Sequence, residues 1–249
     1  PHPLTGRTLP ITLGHEFSGE ITAIGSDVTD LAVGDAVAVE PLIACGSCDN
    51  CRAGNYNFCD RAQAADGAGN FLGFSQDGGM AEYANVKARF AHTMPSGLPF
   101  QLGALAEPTA VVYEALKKSH LRAGQTVAVM GAGPIGLLTA ILARIAGATR
   151  IYISDVSDVR LAKARELGFD HVINPLQEDV VAAIRAEEPH GVDIGFEAAG
   201  VQATLDTALK VPKRTGLVQI VALFGKPVSI NLTADVIMQG LDIIGTLCY

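Results

Sequence analysis

The sequence predicts an α/β chain of two unlike domains: a β-rich first domain over residues 1–110 and a doubly wound parallel sheet of six strands over 111–249. Three observations lead there. Apolar or small residues recur at every second position early in the chain, the pattern turns helical from about Ala106, and from Thr126 apolar strands alternate with amphipathic helices.

In the first domain Phe17, Gly19, Ile21 and Ala23 alternate with Ser18, Glu20 and Thr22, as in a half-buried antiparallel strand over 17–23. Similar strands are expected over 36–39, after the Gly34-Asp35 turn, and over 80–86, after Gly78-Gly79. The glycine-rich stretch 46–79 is too long to lack structure in a compact domain unless something pins it. In the second domain strands are expected over 126–130, 150–154, 171–173, 192–196, 216–221 and 242–247. The first helix there starts near Pro134, is expected to bury Leu137, Leu138, Ile141, Leu142 and Ile145, and stops at Gly147. The next is expected to be capped by Ser157, to carry Asp158 in its first turn and to end at Gly168.

Composition narrows the function. With 49% hydrophobic and 18% charged residues in 249, the chain has ample material for a packed core. Lysine plus arginine at 18 against aspartate plus glutamate at 26 gives a net charge of −8, and no basic cluster is visible along the sequence. Nucleic acid and anionic membrane surfaces are therefore poor partners. The longest uncharged run, 123–143, is long enough to suggest a membrane span, but Gly131, Gly133, Pro134 and Gly136 divide it into strand, turn and helix. The chain opens on Pro1 with no signal peptide ahead of its apolar segments, and is expected to be part of something longer.

Four of the five cysteines follow the spacing Cys45-x2-Cys48-x2-Cys51-x7-Cys59, with Gly46 and Gly54 supplying turns. Four thiolates this close can close a tetrahedral zinc site with no position left for water, so the site is expected to be structural. An iron–sulfur cluster is the main rival, but the ferredoxin run has three residues before its fourth cysteine and a proline after it. Here there are seven, and Asp60 follows. A reduced, intracellular, cytoplasmic setting fits such a cluster. Cys248 is expected to be a buried strand thiol.

Gly131-Ala132-Gly133-Pro134-Ile135-Gly136 follows an apolar strand and opens a helix, the context in which GxGxxG is specific for a dinucleotide. Gly131 permits the tight turn, Gly133 the approach of a pyrophosphate, and Gly136 the packing of helix on strand. Asp155, 155 − 136 = 19 residues on, is placed to accept hydrogen bonds from the adenosine ribose and to repel a 2′-phosphate, which favours NAD over NADP. Arg160 could lay its guanidinium against the adenine or stand as a solvated helix residue.

Taken with these, Gly14-His15-Glu16-Phe17-Ser18-Gly19, the lobe 45–59 and the loop 131–136 resemble the zinc-dependent medium-chain alcohol dehydrogenases, in that family's order and over essentially the whole chain. The resemblance implies a GroES-like catalytic domain followed by a Rossmann domain, a second, catalytic zinc, NAD, a small alcohol substrate and a homo-oligomer. It makes His15 a catalytic zinc ligand, Glu107 of the Glu107-Pro108 pair a ligand or one water away, and Glu16 an alternative ligand or a carboxylate supporting the ligands. The zinc would acidify the alcohol while the carbinol hydride passes to the nicotinamide. A glutamate at Glu107, where classical members have cysteine, resembles the polyol branch, and residues 1–19 resemble (R,R)-2,3-butanediol dehydrogenases. Sorbitol dehydrogenases carry an arginine two residues after Thr246, where Cys248 stands; this favours a small diol. Tyr249 matches a substrate-contacting tyrosine of that branch. The family's first catalytic ligand is a cysteine upstream of Gly-His-Glu, and none of the 14 residues before His15 is one. The catalytic domain is therefore expected to be incomplete at both ends. Sorbitol-type and L-threonine dehydrogenases, or a non-catalytic zinc- and nucleotide-binding module, are the alternatives. His2, His92, His120, His171 and His190 are expected to be solvent-facing or structural.

Overall fold

The computed structural model describes residues 10–62 and 71–249; the opening segment 1–9, with His2, lies outside the described residues. The chain forms two compact units, Pro1–Pro108 and Thr109–Tyr249.

In the first unit β1 (Ser18–Glu20), β2 (Ala36–Val39) and β3 (Ala91–Thr93) make an antiparallel sheet in the order β1-β2-β3. Ser18 pairs with Ala38, and Ala38 with His92, whose Nε2 lies 3.0 Å from Glu40 Oε2. Val37 and Val39 are buried, and Val39, Ile43, Leu72 and Phe90 form a small core against Phe17 and Val86. The ladder at 17–23 is shorter than the alternation suggests, because after Glu20 only Ile21 continues pairing, with Gly34 and Asp35. The third strand is not 80–86 but Ala91–Thr93. The Gly78-Gly79 backbone instead bonds to Thr12 and Gly14, and residues 81–85 are exposed with no alternation of burial to drive a strand. Two short helices follow the sequence order, α1 (Asp49–Arg52) in the cysteine lobe and α2 (Phe100–Gly103), before α3 (Ala106–Ser119).

The second unit is a six-stranded parallel sheet in the order β6-β5-β4-β7-β8-β9. Along the chain β4 (Thr126–Met130), α4 (Pro134–Ile145), β5 (Arg150–Ser154), α5 (Asp158–Glu166), β6 (His171–Ile173), α6 (Val180–Glu187), β7 (Val192–Glu197), α7 (Gln202–Lys210), β8 (Pro212–Ile220) and β9 (Asp242–Gly245) alternate as expected. Val127 and Val129 of β4 join one core with Ile151, Ile153 and Phe196, while Ala128 and Met130 join another with Tyr152 and Val218. Successive strand residues point to opposite faces, and both faces carry helices; hence the central strand β4 reads as the apolar run Val127–Met130. Order reverses between β4 and β7, where a doubly wound sheet opens its binding crevice at the carboxyl ends of the strands.

Three local expectations need correction. The face of α4 that is fully buried carries the small residues Gly136, Thr139, Ala140 and Ala143; Leu137, Leu138, Ile141 and Leu142 pack at its margin and Ile145 is 74% exposed, because only small side chains let the helix lie close to the sheet. Ser157 holds the N-cap position of α5, but its side chain makes no cap hydrogen bond. Cys248 lies beyond β9, half-buried, with φ of 51°, so it is not a strand thiol. Among the described residues no helix is long and apolar enough to cross a membrane.

Candidate metal sites and nucleotide cradle

The cysteine lobe gathers its four sulfurs within 4.8 Å of one another. Cys45 and Cys51 Sγ lie 3.9 Å apart, close to the edge of about 3.8 Å expected of a tetrahedron with metal–sulfur bonds of ~2.3 Å. The Ser47 hydroxyl and then the backbone N–H groups of Ser47 and Cys48 bring the Cys45 thiol down to about 5. Burial, then its neighbour Cys48, pushes Cys51 up to about 12. Burial opposes ionisation of Cys59, but the N–H groups of Cys45, Ala62 and Arg61 outweigh it and its value falls. Four thiols this close cannot all ionise without a cation among them, and N–H donors already point at the sulfurs; the donor set fits a structural zinc. Arg89 Nη2 donates to the Ala44 carbonyl at 2.6 Å, tying the lobe to the segment ahead of β3.

The second donor set unites residues from distant positions. His15, Glu16 and Glu107 place one ligand atom each within 4.8 Å of one another, with His15 Nε2 3.9 Å from Glu16 Oε1. The 12–15 backbone is fixed by Gly78, Gly79 and Met80, whose N–H groups bond to Thr12, Gly14 and Leu13. A Cβ on Gly78 would stand 2.0 Å from the Gly14 carbonyl oxygen, so the approach needs glycine. Phe74 lies against the His15 ring at 4.4 Å, and Phe71 closes on both rings from 6.0 and 4.9 Å. Glu107, in the first turn of α3, is only 9% exposed. Burial, and then the Glu16 charge, pushes its carboxyl up to about 7. Two carboxyls and an imidazole converge here, and Glu107 is held partly protonated first by burial and then by the Glu16 charge; together they are a donor set that a divalent cation satisfies. Sequence reading missed the two phenylalanines; their place just ahead of the Gly78-Gly79 pair was the available signal.

In the second unit the glycine loop leaves the carboxyl end of β4 at the reversal point. Gly131 N–H donates to Ser154 O at 2.7 Å, Gly133 is the N-cap of α4 and Pro134 is its first residue, with Ile135 next. A Cβ on Gly136 would sit 1.8 Å from the Gly131 oxygen, so this helix start tolerates no side chain. Asp155 is brought to the loop as expected, but its carboxylate is already engaged. Oδ2 accepts from Ala132 N at 2.8 Å and lies 3.4 Å from Arg160 Nη1, while Oδ1 accepts from Ser157 N at 2.8 Å. Arg160 therefore pairs with Asp155, and that carboxylate braces the loop.

Glu197, at the carboxyl end of β7, is a residue that sequence reading missed. It is fully buried; Oε1 accepts from Ala199 N, Gly200 N and the Thr204 hydroxyl at 3.1, 2.9 and 2.7 Å, while Oε2 has no partner among the described residues. It fixes the β7–α7 turn, and the Ala198 oxygen of that turn would lie 3.0 Å from a Cβ on Gly131. A charged residue directly after the apolar stretch Ile194–Phe196 was the available signal.

With this geometry in hand, two family models match: an alcohol dehydrogenase GroES-like domain over residues 2–96 and a zinc-binding dehydrogenase domain over 134–249. (R,R)-butanediol dehydrogenase of Bacillus subtilis is 38% identical over 250 residues, covering 100% of the chain and 69% of that protein. Sorbitol dehydrogenase of the same organism is 36% identical over 245 residues, covering 96% and 67%. A zinc-binding dehydrogenase of Sinorhizobium meliloti, solved with NADP bound, superposes with a TM-score of 0.89 at 36% identity, covering 97% of the chain and 70% of that structure. The chain thus spans about two thirds of the length of these relatives.

Proposed function

Because this chain belongs to the zinc-dependent medium-chain alcohol dehydrogenase family, which couples alcohol oxidation to a nicotinamide dinucleotide, we propose that its substrate is a small vicinal diol, (R,R)-2,3-butanediol, interconverted with acetoin using NAD. The observation that carries the reading is the convergence of His15, Glu16 and Glu107 within 4.8 Å in a chain that also holds a glycine-loop cradle. When bound there, zinc acidifies a substrate hydroxyl and the nicotinamide accepts the hydride.

The residues supply position and charge. Phe74 and Phe71 hold the His15 ring, Glu107 presents a carboxyl whose burial makes it respond strongly to a neighbouring cation, and Glu16 adds a second negative charge. The lobe Cys45, Cys48, Cys51 and Cys59 holds the structural zinc. Gly131, Gly133, Pro134, Ile135 and Gly136 cradle the pyrophosphate, and Asp155 with Arg160 frames the adenosine ribose.

Identities of 38% and 36% do not separate butanediol from sorbitol. Cys248 in place of the arginine of sorbitol dehydrogenases favours the shorter substrate, since a longer polyol gains most from that cationic donor. For the nucleotide, the Asp155 carboxylate disfavours a 2′-phosphate, but Arg160 at 3.4 Å partly offsets it, so the preference for NAD is expected to be moderate. Steady-state assays with (R,R)-2,3-butanediol, sorbitol and L-threonine, each with NAD and NADP, test this. The diol with NAD is expected to give the highest kcat/KM; a higher value with sorbitol or threonine overturns the substrate, and tighter NADP binding overturns the role of Asp155.

A further inference from the structure

The fold assembles a positive surface that the linear sequence conceals. A hollow of about 540 Å³ in the second unit is lined by Arg185, Pro189, His190, Lys213, Arg214 and Gln239. Every titratable residue on that lining is a cation or can become one, in a chain of net charge −8. The cations come from two neighbouring stretches, Arg185 from the last turn of α6 with His190 from the connection to β7, and Lys213 and Arg214 from the start of β8, which lie side by side because Val192 pairs with Pro212. Both are at the amino ends of parallel strands, whereas the glycine loop follows the carboxyl end of β4; the hollow and the nucleotide cradle are on opposite edges of the sheet.

The cations differ in how they are held. Arg185 turns its two terminal nitrogens to the carbonyls of Pro189, Lys210 and Pro212, at 3.3, 3.1 and 3.2 Å, and among the described residues no carboxylate pairs with it. Lys213 is paired with Asp193 at 2.5 Å. Arg214 and His190 are exposed, and their side chains have neither a hydrogen-bond nor an ion-pair partner among the described residues. Beside Arg214 stands Thr215 with φ of 62°, a left-handed conformation that is costly for a β-branched residue. It is retained because Thr215 N–H donates to the Gln239 carbonyl at 2.9 Å, which locks the turn that carries Arg214. Strain kept at a locked turn, next to an uncompensated guanidinium, is a pattern found where a side chain is held ready for a ligand.

We propose that this hollow is a second anion site, separate from the nucleotide cradle, that takes a small molecule bearing adjacent phosphate groups. The Arg214 guanidinium supplies two parallel donors matched to phosphate oxygens, His190 adds a third donor, and the Arg185 charge, held by three carbonyls, stands on the same lining. Inorganic pyrophosphate is the probe, and because the glycine loop also binds pyrophosphate, the full chain is first saturated with NAD. Equilibrium dialysis is then expected to retain one equivalent of pyrophosphate, with affinity falling as salt rises. Arg214→Glu is expected to weaken that binding at least tenfold and His190→Gln about threefold, as steps of roughly 1.4 and 0.7 kcal/mol, while NAD affinity and the circular dichroism spectrum are unchanged. Were NAD not to occupy the loop, two equivalents would be retained and Arg214→Glu would remove one of them. No retention by the NAD-saturated chain, or retention undiminished in Arg214→Glu, overturns the site. Citrate binding as tightly as pyrophosphate overturns the assignment to phosphate.

Discussion

The first unit carries two metal donor sets built in opposite ways. The cysteine lobe draws all its sulfurs from one short stretch, and its sulfur geometry is close to that of a filled site, at 3.9 Å between Cys45 and Cys51. The other set joins His15 and Glu16 to Glu107, 107 − 15 = 92 residues away, through α3 and the packed 12–15 and 78–80 backbones. A local site is assembled by its own turns; a distant one exists only when the unit around it is folded. The lobe should therefore act as a cause of folding, and the His15 set as a consequence of it.

The largest effect should follow from Cys59→Ser. Cys59 is fully buried among Leu42, Ala44 and Ala62, and serine there gives a hard, weakly ionising oxygen in place of a thiolate. Zinc bound to such four-thiolate sites supplies folding free energy on the order of 10 kcal/mol. The variant is expected to lose one zinc equivalent by metal analysis and to lose hydrogen-exchange protection across the lobe. Full zinc content would mean that three thiolates suffice.

His15→Ala should come next. It is expected to remove the second zinc equivalent, to leave the lobe's zinc in place and to lower turnover roughly 10³-fold or more, the scale of several kcal/mol of metal assistance. Loss of both equivalents would show that the two sets are not independent and would break the contrast drawn above.

The same contrast explains what could be read in advance. The alternation of Val127, Val129 with Ala128, Met130, the glycine loop and the Cys spacing are local patterns, and the six strands and the lobe follow them closely. The third strand of the small sheet did not, because 80–86 has β-like residues but its neighbours are chosen by Gly78 bonding back to Thr12, a contact no local pattern announces. Glu107 could be linked to His15 only through a family resemblance. Nothing in the spacing reveals that Asp155 would spend its oxygens on Ala132 and Ser157, or that 185–190 and 213–214 would meet around one hollow. Long-range contacts decide the chemistry at each of these places.

A smaller effect should appear in the pH dependence of stability with the lobe zinc retained and the His15 set stripped by a mild chelator. The Glu107 carboxyl is raised from 4.5 to about 7 in the folded chain, first by burial and then by Glu16. The folded state thus binds this proton more tightly than the unfolded state does. Its stabilising contribution is complete below pH 4.5, declines as pH rises from 4.5 to 7 and is gone above that. Urea denaturation of the parent minus Glu107→Gln should trace a decline of roughly 2 to 3 kcal/mol over that interval. Refilling the set with zinc should flatten it, because the cation then stabilises the ionised form. A difference that rises with pH would place the shift in the wrong direction.

Glu16→Gln should produce the smallest change, and it tests how far the His15 set resembles the lobe. In the lobe every donor is expected to be needed; around His15 one carboxylate is buried, while Glu16 has a side chain 47% exposed. Its oxygen, 3.9 Å from His15 Nε2, is beyond hydrogen-bond range, a separation that suits either two ligands flanking one ion or a carboxylate standing alongside. Exposure favours the second arrangement, since solvent screens its charge and leaves the carboxylate mobile. Gln keeps the shape and removes the charge. The Glu107 carboxyl should then titrate lower, by less than burial holds it up, as followed by carbon-13 NMR, and zinc affinity at the set should weaken about tenfold, the usual cost of altering a residue that supports ligands without being one. Loss of the whole second equivalent would make Glu16 a ligand in its own right and bring this set closer to the all-or-none character of the cysteine lobe.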